Sequence, residues 1–239
     1  MQEIENKKSK IWVADNAGSY FQSEWFNPQI HTTDPPAEKW QLGRQSVIHF
    51  TANDYYMVLR HYCRGGLPAK FSHDKFVFRG WSVTRAHREL ILLERMMRMG
   101  LPVPTPVAAK SELNGIFYTS DIITHEVDNS RTLAQVLMSG QLPSQVWRRL
   151  GQVIKEFHIR GIEHIDLNAN NILVDSEDKI YLIDFDRCLQ RKYSTSWGRK
   201  GLKRLKRSLL KLKKSNQQLA FSEQDYRILL AAYEEWGLI

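Results

Sequence analysis

The chain has 239 residues, of which 42% are hydrophobic, so it is long and apolar enough to bury a core and is not intrinsically disordered. No uninterrupted apolar run reaches the roughly 18 residues of a transmembrane helix, and the N-terminus has no apolar segment of the kind found in secretory signals. The two cysteines, Cys63 and Cys188, form neither a disulfide framework nor a metal-binding spacing. We therefore expect a globular, cytoplasmic protein.

The net charge of +8 comes from one strongly basic segment. Residues 187–214 contain twelve Lys or Arg and neither Asp nor Glu, so the rest of the chain is net acidic. Leucine recurs in this segment at helical spacing, at Leu202, Leu205, Leu209 and Leu212. The pattern predicts an amphipathic helix that packs through its leucines, and we expect its cations, over residues 199–214, to contact an anionic surface. Nucleic acid is not favoured as that partner, because aromatic residues are not interleaved with the basic ones.

The predicted elements divide the chain into three parts. Residues 1–40 mix aromatic residues with turn formers and predict an N-terminal extension that packs on the following lobe. Residues 41–125 predict a small lobe with, in chain order, a strand, turn and strand over 42–50, a strand over 56–62, a helix from Thr84 to Met99, and strands at 116–118 and 122–123. Residues 126–239 predict a mainly helical lobe with helices at 133–139 and 144–160, a hairpin at 172–174 and 180–183, and the basic helix.

The most specific pattern follows the second of those C-terminal helices. Residues 164–171 read H-x-D-x-x-x-x-N, and a short hairpin then leads to Asp184-Phe185-Asp186, which is the spacing of a kinase catalytic loop and its metal-binding Asp. Asp166 is predicted to orient and deprotonate an attacking hydroxyl. Asn171 and Asp184 are predicted to supply oxygen ligands to the Mg²⁺ that accompanies ATP. Motif and element order together predict an α+β, bilobal protein-kinase-like fold with a small antiparallel N-lobe sheet and a mainly helical C-lobe.

Within that fold, the N-lobe is expected to bind ATP. The segment from Gly43 to Ser46 takes the place of the loop over the phosphates. The phosphate-binding cation at the end of the third strand is most naturally Arg60, and its partner on the following helix is Glu89, with Glu94 next in line. Two alternatives for phosphate binding remain, namely Lys70 and the backbone N–H groups of Arg64-Gly65-Gly66. Adenine is expected near Ile123-Thr124-His125, and Thr124 is predicted to contact it.

Two departures from the protein-kinase pattern indicate the acceptor. Ile165 stands where many protein kinases carry an Arg that receives an activation-loop phosphate, and only 53 residues follow Asp186. A small or lipid-linked acceptor is therefore expected, and the basic segment favours an anionic one. His164 is predicted to brace the loop. Asn168 is expected to contact either the acceptor sugar or a phosphate, and Asp186 either to join the metal shell or, slightly favoured, to pair with Arg187.

Several stretches resemble the 3-deoxy-D-manno-octulosonic acid (Kdo) kinases. They are His164 to Leu173, Ile183 to Arg187, Val58 to Leu67, Gly100 to Pro104, and Leu205 to Leu209. The resemblance implies ATP-dependent phosphorylation of the 4-hydroxyl of Kdo on a lipid A precursor, at the cytoplasmic face of the inner membrane, in lipopolysaccharide core biosynthesis. Cys63 departs from the basic residue expected there. The alternatives are a lipopolysaccharide heptose kinase and a non-catalytic pseudokinase that binds anionic lipid.

Overall fold

The computed structural model describes residues 1–31, 46–63 and 74–235, and of Ser46 it describes the backbone. The chain forms two compact units, one made of Met1–Arg95 and Pro104–Glu126, the other of Met96–Val103 and Val127–Ile239. An antiparallel sheet dominates the first unit, and helices dominate the second. The predicted α+β, protein-kinase-like fold class is confirmed.

Seven strands of the first unit form one antiparallel sheet within the described residues. The strands are β1 (Gln2–Glu5), β2 (Ser9–Val13), β3 (Ser46–Ala52), β4 (Tyr55–His61), β5 (Phe76–Val77), β6 (Pro106–Asn114) and β7 (Phe117–His125). Their order across the sheet is β1-β2-β6-β7-β4-β3, and β5 pairs with β7. The N-terminal segment therefore extends the sheet as a hairpin, and β2 pairs with β6.

The hairpin of β6 and β7 differs from the sequence prediction. The two short strands expected at 116–118 and 122–123 are one continuous strand, and β6 was not predicted at all. Both strands contain polar and small residues, which have low strand propensity, so the sequence pattern indicated neither β6 nor the continuity of β7. Ser111 and Ser120 are fully buried opposite each other, and their hydroxyl groups are 2.7 Å apart. This cross-strand hydrogen bond lets polar side chains occupy the interior of the sheet.

The first unit also contains most of the helix predicted at 84–99, which runs as α1 (Arg85–Arg98). Leu90 and Leu93 are buried on its apolar face. Gly100 adopts a φ of 73°, and Leu101 N–H donates to the Met96 carbonyl at 3.0 Å, which ends the helix. Helix α1 also buries two carboxylates, Glu89 and Glu94, whose different partners matter for the site below.

The second unit holds the remaining helices and small sheets. The helices are α2 (Leu133–Ser139), α3 (Ser144–Ile159), α4 (Thr195–Ser215) and α5 (Glu223–Glu235). The strands are β8 (Arg131–Thr132), β9 (Ile162–Glu163), β10 (Ile172–Val174), β11 (Ile180–Leu182) and β12 (Leu189–Gln190). A Cβ on Gly151 of α3 would lie 2.2 Å from the Leu229 carbonyl oxygen of α5, so only glycine permits this close helix contact.

Helix α5 was not predicted, although its start carries a capping signal. The Ser222 N–H donates to the Asp225 carboxylate at 2.8 Å, and the Asp225 N–H donates back to the Ser222 hydroxyl at 3.3 Å.

The basic helix α4 begins earlier than expected, at Thr195, and buries Leu202, Leu205 and Leu209. In the part of the chain that the structure describes, no helix combines the length and the apolar character needed to cross a bilayer.

Candidate active site

The catalytic loop joins β9 to β10 and combines one exposed acidic residue with buried apolar residues. Asp166 is exposed, whereas its neighbours Leu167 and Ala169 are fully buried. The Ala169 carbonyl accepts a 3.1 Å hydrogen bond from the Ala134 N–H at the start of α2. The loop is thus anchored through its apolar residues, and the Asp166 carboxylate is presented to solvent.

Side-chain amides hold the backbone of the loop. The Asp166 carbonyl accepts hydrogen bonds from the side-chain Nδ2 atoms of Asn168 at 3.0 Å and Asn171 at 2.9 Å. The Asn168 Oδ1 accepts a further bond, at 2.8 Å, from the Asn170 N–H. Both ends of the Asn168 amide are therefore used within the loop. This geometry favours a bracing role over the contacts with acceptor or phosphate left open by the sequence.

Asn171 connects the loop to the predicted metal-binding Asp. Its carbonyl accepts a 3.1 Å hydrogen bond from the Ile183 N–H, the residue directly before Asp184. The second unit thus brings Asp166, Asn171 and Asp184 into one local arrangement. Asp184 has a φ of 64°, a left-handed conformation that is uncommon outside glycine and concentrates at functional sites.

The donor set fits magnesium. Among residues 1–31, 46–63 and 74–235, no group of three His, Cys, Asp or Glu is arranged to hold a metal ion. Magnesium does not need such a cage, because it keeps several water ligands and takes one or two protein oxygens together with substrate phosphates. The hydrogen bond from Nδ2 of Asn171 leaves its Oδ1 as the amide atom that would bind the metal, and Asp184 would add a carboxylate.

His164 and Phe185 form the interior support of this arrangement. The His164 Nε2–H donates to the Ile183 carbonyl at 2.9 Å, and the His164 side chain is buried. The Phe185 ring stacks on Phe157 of α3, with 5.9 Å between ring centroids, and contacts the His164 ring at 4.9 Å. These contacts agree with the predicted bracing role of His164.

In the first unit, Arg60 of β4 and Glu89 of α1 form an ion pair. The Glu89 side chain is only 3% exposed and that of Arg60 12%. Glu94 is bonded elsewhere, since its Oε1 accepts the Asp15 N–H at 3.0 Å. The structure therefore selects Glu89 over Glu94 as the partner of Arg60.

Tyr62 completes this cluster and was not identified from the sequence. Its hydroxyl donates to the second Glu89 oxygen at 2.5 Å, and the Arg60 guanidinium lies 4.8 Å from the centre of its ring. Arg60 and Tyr62 are two residues apart on an extended segment, so their side chains share one face. That spacing is the signal that could have suggested Tyr62.

We expect Tyr62→Phe to weaken ATP binding more than it slows turnover. The ring under Arg60 is retained, but the hydrogen bond that orients Glu89 is lost, so Arg60 is held less firmly. Steady-state kinetics should show the KM for ATP raised about three- to tenfold, the equivalent of about 1 kcal/mol, with kcat changed less than about twofold. An equal fall in kcat with no change in KM would contradict a role in ATP binding.

The remaining predicted nucleotide contacts are placed only in part. Thr124 lies in β7 opposite Val58 of β4. The backbone N–H groups that follow it are already bonded, His125 to the Thr105 carbonyl at 2.8 Å and Glu126 to the Tyr56 carbonyl at 2.9 Å. Gly43, Lys70 and the Arg64-Gly65-Gly66 segment lie outside the described residues, as does the side chain of Ser46.

A buried histidine ties α3 to α4 and α5. His158 Nδ1 lies 2.8 Å from the Tyr233 hydroxyl, and a Cβ on Gly198 would lie 2.8 Å from that hydroxyl and 3.1 Å from the histidine nitrogen. Burial, followed by the positive charge of Lys155 and the proximity of His164, lowers the pKa of His158 from 6.5 to about 3. His158 is therefore neutral and structural near neutral pH.

We expect the stability of the protein to fall with acidification because of His158. Between about pH 6.5 and pH 3 the unfolded chain binds a proton that the folded chain excludes, so unfolding becomes easier by about 1.4 kcal/mol per pH unit. Above about pH 6.5 this contribution is fully present and constant. Urea unfolding at about pH 7.5 and about pH 5 should show a smaller pH effect in His158→Gln than in the wild type. An identical pH effect in both proteins would contradict the assignment.

The fold and the catalytic loop define a phosphotransferase of the protein-kinase-like class, acting on a hydroxyl group. Residues 40–233 match the lipopolysaccharide kinase (Kdo/WaaP) family, and the chain belongs to this family. The chain is similar to proteins named 3-deoxy-D-manno-octulosonic acid kinase from three bacteria. It is 35% identical to that of Photobacterium profundum, with 88% of this chain and 94% of the relative covered. It is 36% identical to that of Haemophilus influenzae, with 92% of each chain covered. It is 31% identical to that of Vibrio parahaemolyticus, with 97% of each chain covered. The resemblance inferred from the sequence motifs is confirmed.

Proposed function

We propose that this chain transfers the γ-phosphoryl group of ATP to the 4-hydroxyl of Kdo on a lipid A precursor. The observation that carries the proposal is the exposed Asp166 on a loop whose backbone is held by Asn168 and Asn171. The names of the curated relatives, which this chain matches over most of its length, support Kdo as the acceptor sugar. They do not favour a heptose kinase, and the complete set of Asp166, Asn171 and Asp184 does not favour a pseudokinase.

Each proposed site residue has a defined chemical task. Asp166 accepts a hydrogen bond from the acceptor hydroxyl, aligns its oxygen with the γ-phosphorus and takes its proton late in the transfer. Arg60, oriented by Glu89, directs its guanidinium fork at the α- and β-phosphates. Asn171 and Asp184 would hold magnesium, which neutralises phosphate charge when bound. Gly43 and Ser46 cover the phosphates, and Thr124 contacts the adenine.

The acceptor also suggests where the protein works. A lipid A precursor is a polyanion held in a bilayer, and α4 exposes several cations over residues 199–214. Each Lys or Arg near an anionic membrane contributes about 1 kcal/mol, so several together retain a protein at the surface. We therefore propose that the protein binds peripherally to the cytoplasmic face of the inner membrane.

The direct test is transfer of labelled γ-phosphate from ATP to purified acceptors. Kdo-bearing lipid A precursor should become labelled, and the same lipid without Kdo should not. Omission of magnesium should abolish labelling, because the phosphate charge is then not neutralised. Labelling of a heptose-bearing acceptor but not of the Kdo-bearing one would overturn the assignment of the sugar.

A further inference from the structure

Helix α4 packs directly on the catalytic loop. The Ala169 N–H donates to the Ser208 hydroxyl at 3.3 Å, and Ala169 is only three residues from Asp166. Leu205 and Leu209, on the inner face of α4, are fully buried. The basic helix is therefore tied to the segment that carries the proposed catalytic base. The three residues from Ala169 to Asp166 span at most about 10 Å.

Two cations of α4 belong to the packing of the helix and not to an open surface. Lys206 forms a 2.7 Å ion pair with Glu223 and lies 5.1 Å from the centre of the Tyr226 ring. Lys213 donates to the Leu219 carbonyl at 2.5 Å. Lys206 thus attaches α4 to α5, and Lys213 attaches it to the segment before α5, so the density of positive charge on α4 is partly structural.

The other seven cations of α4 lie along one arc of the helix, at increasing angles from Ser208. At about 100° per residue, Lys200, Arg204 and Lys211 lie within about 80° of Ser208, and we call them the loop-side row. Arg199, Lys203 and Lys214 lie about 120–180° from Ser208, and we call them the outer row. Arg207 lies between the two rows, at about 100° from Ser208. All seven are exposed except Arg204, which is half-buried. Each row carries three positive charges, but only the loop-side row flanks the residue that bonds the catalytic loop.

We propose that the loop-side row binds phosphate groups of the acceptor lipid headgroup and so positions the sugar hydroxyl at Asp166. This inference rests on the proposed function and deepens it by naming an acceptor subsite. Three cations along one side of a helix suit a phosphorylated headgroup, because charge-assisted hydrogen bonds to phosphate are shorter and stronger than neutral ones. The position next to Ser208 links occupancy of this subsite to the loop that performs the chemistry.

The test compares two triple variants with the same change of charge. One carries Lys200→Gln, Arg204→Gln and Lys211→Gln, and the other carries Arg199→Gln, Lys203→Gln and Lys214→Gln. Glutamine keeps helix propensity, so both variants should fold. The acceptor is presented in neutral detergent micelles, which removes the general attraction to an anionic bilayer. The loop-side variant should raise the acceptor KM about tenfold or more with the ATP KM unchanged, whereas the outer variant should raise it less than about threefold.

A binding measurement without ATP separates this inference from the proposed function. The wild type should bind the phosphorylated acceptor lipid more tightly than its dephosphorylated form, and the loop-side variant should lose that preference. Such a result stands even if the wild type transfers no phosphate to Kdo, an outcome that would overturn the proposed function alone. Equal losses in the two triple variants, or a loop-side variant that still prefers the phosphorylated lipid, would overturn the subsite.

Discussion

Asp166→Asn is expected to lower the rate of phosphoryl transfer by about 10²–10⁴-fold while changing ATP affinity less than about twofold. Asparagine has nearly the shape of aspartate but does not accept the hydroxyl proton. The loop should keep its conformation, because its hydrogen bonds involve the Asp166 backbone carbonyl and not its carboxylate. Single-turnover transfer to the Kdo-bearing acceptor measures the rate, and equilibrium binding of an ATP analogue measures the affinity.

Asp178→Asn is the matched control for this substitution. Asp178 is a half-buried acid in the turn between β10 and β11, and its φ of 60° is a conformation that asparagine also adopts readily. The control should transfer phosphate at close to the wild-type rate. If Asp166→Asn instead abolished ATP binding and left single-turnover transfer intact at high ATP, Asp166 would be a nucleotide ligand and not the base.

Arg60→Met should both weaken ATP binding and destabilise the protein. Removal of the guanidinium breaks the buried ion pair between Arg60 and Glu89, and the loss of one partner of a buried pair costs about 3–5 kcal/mol. Thermal or urea unfolding of the protein without ATP should show this loss directly. In the same protein, the affinity for an ATP analogue should fall about tenfold or more, since the proposed phosphate-binding group is gone.

The double variant Arg60→Met with Glu89→Gln separates the two effects. It also removes the buried charge of Glu89 and should recover a large part of the stability. ATP affinity should stay low, because no cation has been restored. If ATP binding returned together with stability, Arg60 would act only through the fold, and a different cation would have to bind the phosphates.

The catalytic loop could be predicted from the sequence because its functional groups are close together in the chain. Asp166 and Asn171 are separated by a few residues, and the short hairpin to Asp184 leaves little freedom in how the three meet. The basic helix was likewise predictable, since leucines at helical spacing indicate their shared face without knowledge of the rest of the fold.

Tertiary packing decided which acidic residue pairs with Arg60. Glu89 and Glu94 are both plausible partners in the sequence, but they lie about 140° apart around α1. Glu94 bonds the Asp15 backbone, whereas Glu89 faces Arg60 and Tyr62. The N-terminal hairpin that precedes Asp15 was itself not visible in the sequence, because its strands are short and β2 pairs with β6, which is distant in the chain.

By itself, the sequence determined the class of chemistry, the position of the proposed catalytic loop and the basic character of α4, because each depends on neighbours along the chain. The tertiary structure alone decided the partner of Arg60, the place of Tyr62 beneath it, and the division of the α4 cations into structural, loop-side and outer groups. These features depend on which side of each helix or strand is covered. Residues of the same type therefore have different roles on one helix: in α4, Lys206 is structural, whereas Lys203 belongs to the outer row. The reason is that burial and contact partners come from segments that are remote in the chain.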